Sequence, residues 1–284
     1  MVGDADVRVE TGTAVSADGT LLGWTRVGAG EGRPIVVCHG SLSKAQDWMA
    51  FAQLIAAERP VYLYDRRGRG RSPYASTDFA ADAEVDDLAT MVELAGPGAA
   101  VLGHSFGGGC ALAFAVREQF HNPVVLYEPR HSITSPVSRG QTPELSRLVD
   151  DGDFEAAVEL IITKIANLPG ALVPEFRKLP AWQTMCETVN AFPRELRLLD
   201  TLAWSGSELQ DLQCPALLLV GETSPLHIDE PSWNEPLRSR IPAIESGTLA
   251  GQGHFAFLTA PDVLASIVLQ HLVAVDAGQH NAPR

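Results

Sequence analysis

The sequence predicts an α/β protein: a mostly parallel sheet flanked by helices, with one helical insertion. Three observations carry that expectation. Short apolar runs recur with helix-length stretches between them, as strands joined by right-handed crossovers require. One stretch, Pro129 to Gln213, is far longer than a single crossover and holds no convincing buried strand. The run Ala99-Ala100-Val101-Leu102 leads through Gly103-His104-Ser105-Phe106-Gly107 into the small, apolar stretch Gly108 to Ala115, which reads as strand, sharp turn and packed helix.

The elements follow in order. Leu21 to Val27 reads as an early antiparallel strand, ending at the turn Gly28-Ala29-Gly30-Glu31-Gly32. That glycine run sits between two strands and opens no helix, so it is no dinucleotide site. Pro34 to Cys38 is a buried strand, and a helix follows from about Trp48 to Ala57. Val61 to Tyr64 is the next strand. Phe79 to Leu94 is an amphipathic helix with Asp82, Glu84, Asp86 and Asp87 on its polar side. After the turn at Ser105 and its helix comes the strand Pro123 to Tyr127. Within the insertion, Glu144 to Val149 and Phe154 to Ala166 are helical patches, and Pro169, Pro174, Pro180 and Pro193 punctuate the rest. The sheet resumes at Pro215 to Val220 and continues at about Ala243 to Leu249. Pro261 to His271 closes the chain as a helix with proline in its first turn. The expected organisation is a core of 1–128 and 214–276, a cap of 129–213, and a disordered tail of 277–284.

Composition narrows the partners. The formal net charge of −14 argues against nucleic acid and anionic membranes. No uninterrupted apolar run approaches the roughly 18 residues of a membrane span. The first residues are acidic and lack the basic and apolar regions of a signal peptide, so a cytoplasmic protein is expected. Cys38, Cys110, Cys186 and Cys214 are widely separated, have no zinc-site spacing, and read as reduced thiols. Neither a metal nor an organic cofactor is expected. The expected partner is a small molecule, and a homodimer is left open.

The turn at Ser105 has the form of a nucleophile elbow, Gly-x-Ser-x-Gly between strand and helix. So sharp a turn strains the serine backbone, and side chains two positions away on either side would clash. The hydroxyl is thereby raised clear of the sheet, beside the first amides of a helix.

Three further motifs are His39-Gly40 after the third strand, Asp65-Arg66-Arg67-Gly68-Arg69-Gly70-Arg71-Ser72 after the fourth, and Gly251-Gln252-Gly253-His254 near the end. With these and the elbow the chain resembles the α/β-hydrolases, in particular the capped group of esterases, lactonases and cofactor-free haloperoxidases. The resemblance covers about residues 21–273 and implies an eight-stranded sheet. It implies Ser105 as nucleophile and His254 as the base that takes its proton. It implies an oxyanion hole from the backbone N–H of Phe106 and that of Ser41, with Leu42 next in line. His39 is expected to brace the oxyanion loop, and the arginine-rich run to be a structural turn whose arginines make local ion pairs.

In one place the chain departs from the family. The acid usually follows the strand that here ends at Val220, three residues past the glycine. In Gly221-Glu222-Thr223-Ser224-Pro225 that place holds Ser224, which cannot carry the charge. Glu128, at the end of the preceding strand, is the first alternative, Glu222 the second, and Asp229 or no acid at all the others. Trp182, Phe176, Phe192, Trp204, Leu172 and Met185 of the cap, with Leu42 and Phe255 near the motifs, are candidate pocket residues. Two functions follow. One is hydrolysis of an ester, lactone or thioester of a small, largely apolar molecule through an acyl-enzyme. The other is a non-hydrolytic role for the same pocket, as a natural-product cyclase, a lyase or a small-molecule receptor.

Overall fold

Side chains alternate across a strand, so a run that is apolar at every position must be covered on both faces. The central strands obey this. In β3 (Ile35–Cys38), Val36 and Cys38 join one core cluster while Ile35 and Val37 join the other. The same division runs through β4 (Val61–Tyr64), β5 (Ala100–His104), β6 (Val124–Tyr127) and β7 (Ala216–Gly221). A computed structural model describes residues 7–73, 82–133, 135–201, 206–224 and 230–280. Among them, eight strands form one sheet in the order β1-β2-β4-β3-β5-β6-β7-β8. β1 (Val9–Val15) and β2 (Leu21–Val27) pair antiparallel, as do β2 and β4, and every other pairing is parallel.

β1 is the strand the sequence did not announce. It lies at the sheet edge, with half-buried and exposed residues alternating and none fully buried, so it carries no apolar run. Helix α10 (Glu230–Arg240) lies between β7 and β8, and β8 spans Ile244–Leu249.

Helix α1 (Met49–Ile55), after a 3₁₀ turn at Ala45–Trp48, packs with α11 (Ala256–Thr259) and α12 (Pro261–His280) on one face. Helices α2 (Ala83–Ala95) and α3 (Phe106–Arg117) cover the other. The expected start of α2 at Phe79 lies outside the described residues. α12 corrects the reading of the tail: it continues through His280, so 277–280 are helical, while 281–284 lie outside the described residues. It is also long and apolar enough, by length and composition, to cross a membrane over Pro261–Gly278, although no continuous apolar run suggested it. Its residues Leu264, Ala265, Val268 and Leu272 are buried in the core.

Between β6 and β7 the described chain is helical: α4 (Thr142–Asp150), α5 (Phe154–Leu160), α6 (Val173–Phe176), α7 (Ala181–Thr188), α8 (Phe192–Thr201) and α9 (Gly206–Gln210). A π turn at Ile161–Ile165 follows α5, closed by the Ala166 N–H on the Ile161 carbonyl at 2.8 Å. Leu145, Val158, Met185 and Leu196 of this segment join the core cluster on the α2/α3 face.

Candidate active site

The nucleophile candidate sits on strained backbone. Ser105 has φ 53°, a region that costs an ordinary residue on the order of 1–3 kcal/mol. Tight packing holds it there. A Cβ on Gly103 would lie 2.5 Å from the Gly107 carbonyl, and one on Gly107 would run into the Cys38 carbonyl. The Ser105 carbonyl accepts from the N–H groups of Gly108 at 3.0 Å and Arg130 at 2.8 Å, tying the elbow to its own helix and to the chain after β6.

Glu128 directly follows β6 with φ 44°, and this left-handed bend leaves it only 4% exposed. The His254 Nδ1–H donates to its Oε2 at 2.5 Å. The other two donors come from the end of β7: the Gly221 N–H to Oε1 at 2.8 Å and the Ser224 hydroxyl to Oε2 at 3.0 Å. Burial alone would raise the Glu128 pKa. The bond and charge of His254 and the two β7 donors outweigh it and hold the carboxyl below its ordinary range. Ser224, read from the sequence only as a missing acid, is therefore a hydrogen-bond donor to Glu128 one strand over. Glu222 does not reach His254. It is exposed and accepts the Gly251 N–H at 2.7 Å. Asp229 lies outside the described residues.

The loop bearing His254 is braced on two sides. The Tyr127 hydroxyl donates to the Gly253 carbonyl and accepts the Ala256 N–H at 3.1 Å. His104 Nε2–H donates to the His254 carbonyl at 3.0 Å, and the two imidazoles lie 4.5 Å apart between centroids. Burial, then the neighbouring His254, push the His104 pKa well down, which keeps it neutral. Sequence reasoning gave neither Tyr127 nor Ser224 a role. A tyrosine ending a strand beside the acid was the only signal available.

His39 is buried at the base of the Gly40–Leu42 loop. Its Nδ1–H donates to the Gly40 carbonyl at 2.8 Å, and its Nε2 accepts the Arg66 N–H at 3.1 Å. Burial, with Arg66 and Arg69 nearby, holds its pKa well below the usual range, so both bonds fix one neutral tautomer. Leu42 takes φ 56° at the turn of this loop. Among the described residues, the N–H groups of Ser41, Leu42 and Phe106 are engaged by no other protein group.

Ser41, Leu42, Ser105, Phe106, His254 and Phe255 all line one cavity of about 360 Å³. Its walls come from the helical segment: Ile161, Ile162 and Ile165 of the π turn, with Phe176, Met185 and Phe192. Trp182 is not among the residues lining this cavity; it packs against the core, with the Arg177 guanidinium over its indole at 5.2 Å. Leu172 is also absent from the lining, and Trp204 lies outside the described residues. Among the described residues, no group of three or more His, Cys, Asp or Glu side chains is arranged to hold a metal.

The arrangement can raise a hydroxyl over a helix N-terminus, draw a proton to a histidine fixed by a carboxylate, and surround both with apolar walls. The sequence profile of the alpha/beta hydrolase family matches residues 35–267. The chain belongs to the alpha/beta hydrolase family. It is similar in structure to an alpha/beta hydrolase from Sphaerobacter thermophilus, with TM-score 0.81 and 28% identity, covering 92% of this chain and 99% of that one. It is 36% identical to a non-heme chloroperoxidase of Streptomyces lividans over 112 residues, which is 38% of this chain and only 40% of that relative. A pimeloyl-[acyl-carrier protein] methyl ester esterase of Nitrosospira multiformis is 24% identical over 254 residues, 84% of this chain and 94% of that one.

Proposed function

We propose that this protein is a serine hydrolase that cleaves an ester, lactone or thioester of a small, largely apolar molecule through an acyl-enzyme. The observation that carries the reading is the hydrogen bond between buried Glu128 and His254, which lines the cavity that also contains Ser105. With the proton of His254 on Nδ1, its Nε2 is free to act as base. Ser105 Oγ attacks the carbonyl carbon as Nε2 takes the hydroxyl proton. The charge on the carbonyl oxygen is met by the N–H groups of Phe106 and Ser41. The tetrahedral species collapses, the C–O or C–S bond breaks, and the imidazolium returns its proton to the leaving group. Water repeats the sequence on the acyl-serine, releasing the acid and restoring Ser105. Glu128 stays ionised throughout and stabilises the imidazolium.

Residues 129–213 act as a cap above the carboxyl ends of the strands, where ligands bind in open parallel sheets. The isoleucines of the π turn and Phe176, Met185 and Phe192 hold the apolar part of the substrate. The esterase and hydrolase names among the relatives support this class of reaction. The site supplies its own nucleophile, base and charge stabilisation, so the reading calls for no metal or organic cofactor. It takes a small-molecule partner in the cytoplasm, and the acidic charge of −14 supports neither nucleic acid nor an anionic membrane as partner.

A fluorophosphonate should label Ser105 stoichiometrically, and Ser105→Ala should abolish both labelling and turnover of an ester and lactone panel. Dialysis against a chelator should leave turnover unchanged. Retained turnover in Ser105→Ala would overturn the acyl-enzyme and favour a non-covalent role for the pocket.

A further inference from the structure

The arginines of the Asp65–Ser72 turn take no part in the chemistry above, yet one of them touches both halves of the proposed oxyanion hole. Arg66 is fully buried. Its Nη1 donates to the carbonyls of His39 and Gly40 at 3.3 and 3.4 Å, immediately before Ser41. Its guanidinium also lies over the Phe106 ring, 4.1 Å from the centroid. Any shift of this group therefore moves the Ser41 arm, the Phe106 arm or the gap between them.

Two carboxylates hold Arg66 from opposite parts of the fold. Glu84 of α2 binds Nε and Nη2 at 3.0 and 2.8 Å. Glu195 of α8 accepts from the same Nη2 at 2.6 Å and from Arg69 Nη2 at 2.5 Å. Glu195 is 1% exposed, and its own helix also supplies Phe192 and Leu199 to the cavity wall. Arg67 is engaged separately, by Asp87 and Asp18. Arg66, Arg69, Glu84 and Glu195 thus form a buried set of two positive and two negative charges. Removing one member leaves an uncompensated buried charge. Glu84 fixes Arg66 to the core, whereas Glu195 fixes it to the segment that surrounds the substrate.

We propose that Glu195 is a positioning residue for the oxyanion hole. Through Arg66 it sets the spacing between the His39–Ser41 loop and the Phe106 end of α3. Packing of the substrate on α8 is thereby linked to stabilisation of the tetrahedral species. This inference rests on the acyl-enzyme reading.

The test uses the full chain with p-nitrophenyl butyrate as substrate. Glu195→Gln should lower kcat at least tenfold and change KM less than threefold, because misplacement of about 1 Å in a catalytic site can cost 10²-fold. Affinity for a trifluoromethyl ketone, whose serine adduct carries the oxyanion, should fall by the same factor as kcat/KM. Affinity for butyrate, a planar product, should not move. Because Glu195→Gln leaves a buried positive charge, the double variant Arg69→Gln/Glu195→Gln supplies the control. It restores neutrality, so its Tm should return toward wild type while kcat stays low. Wild-type kcat in the folded double variant would overturn the proposal. So would equal losses of ketone and butyrate affinity, or a double variant that fails to fold, which would assign Glu195 to stability alone. A wild-type protein that neither reacts with the phosphonate nor turns over any ester overturns the acyl-enzyme reading itself. An active wild type with unaffected variants overturns only the role of Glu195.

Discussion

The ends of β6 and β7 are neighbours in the sheet, and each carries a glutamate, yet only one of them meets His254. Glu128 leaves β6 through a left-handed bend that folds its carboxylate inward beneath the histidine loop. Glu222 directly follows the last residue of β7, stays exposed, and closes the turn to Gly251. The two share residue type and lie on adjacent strands. They differ in backbone direction at the strand end and in the donors that meet the carboxylate. Three donors converge on Glu128, and two come from β7, the strand that usually bears the acid. The end of β7 has become the support for an acid it does not itself carry.

The sharpest way to break this comparison is to neutralise Glu128. Glu128→Gln should lower kcat by about 10³–10⁴-fold, as loss of a triad acid does elsewhere. The amide can present its NH₂ to Nδ1 and favour the wrong tautomer. Steady-state kinetics and a phosphonate labelling rate would measure it, with circular dichroism checking the fold. An effect below tenfold would remove Glu128 from the reaction.

A second experiment moves the acid back. In Glu128→Gln the added change Ser224→Asp puts a carboxylate at the usual family position, beside the group it replaces. At least a tenfold recovery of kcat over Glu128→Gln is expected. No recovery would mean that the β7 end cannot aim a carboxylate at His254.

How much of this was legible depends on whether a feature was local. The central strands were, because burial on both faces leaves no polar position in Ile35–Cys38 or Val124–Tyr127. The elbow was, because glycine is forced by close backbone approach on both sides of Ser105. β1 was not, because an edge strand without a buried face has no apolar pattern to read. The tail was not, because Asp276 is held by Arg33 and Arg59, at 2.9 and 2.7 Å, from far earlier in the chain. The place of Trp182 was not, for a similar reason. A helical segment with aromatics on several sides does not reveal which side faces the cavity, and here Arg177 stacks on that ring. The arginine run was legible as ion pairing, but its partner Glu195 lies more than a hundred residues away.

Ser224→Ala sharpens the comparison more gently. It removes one donor to the ionised form of Glu128, so the carboxyl pKa rises toward its ordinary value. The sign follows from linkage. With its folded pKa depressed, Glu128 contributes stability that is present above its unfolded pKa and lost as pH falls through its folded pKa. Raising the folded pKa makes that loss begin at higher pH and shrinks the contribution at neutral pH. A hydrogen bond to a charged group contributes about 1.5–3 kcal/mol, so a fall in stability near the lower end is expected. Urea unfolding between acid and neutral pH would measure it. An unchanged acid limb would show that Ser224 does not support the charge.

The smallest effect is expected at Glu222. Its carboxylate accepts one N–H, from Gly251, on the protein surface. Glu222→Gln keeps an amide oxygen able to accept that bond and removes only a solvated charge. Surface substitutions of this kind usually change stability by no more than about 0.5 kcal/mol. Turnover should stay within about twofold, since the carboxylate touches neither His254 nor the cavity lining and its field is screened by water. The comparison is informative because the chemical change is the same as in Glu128→Gln, carboxylate to amide one strand away. A gap of about three orders of magnitude between the two would locate the catalytic charge at the end of β6. Equal losses would mean that both glutamates act only by holding the Gly251–His254 segment, Glu222 through the Gly251 N–H and Glu128 through the His254 ring.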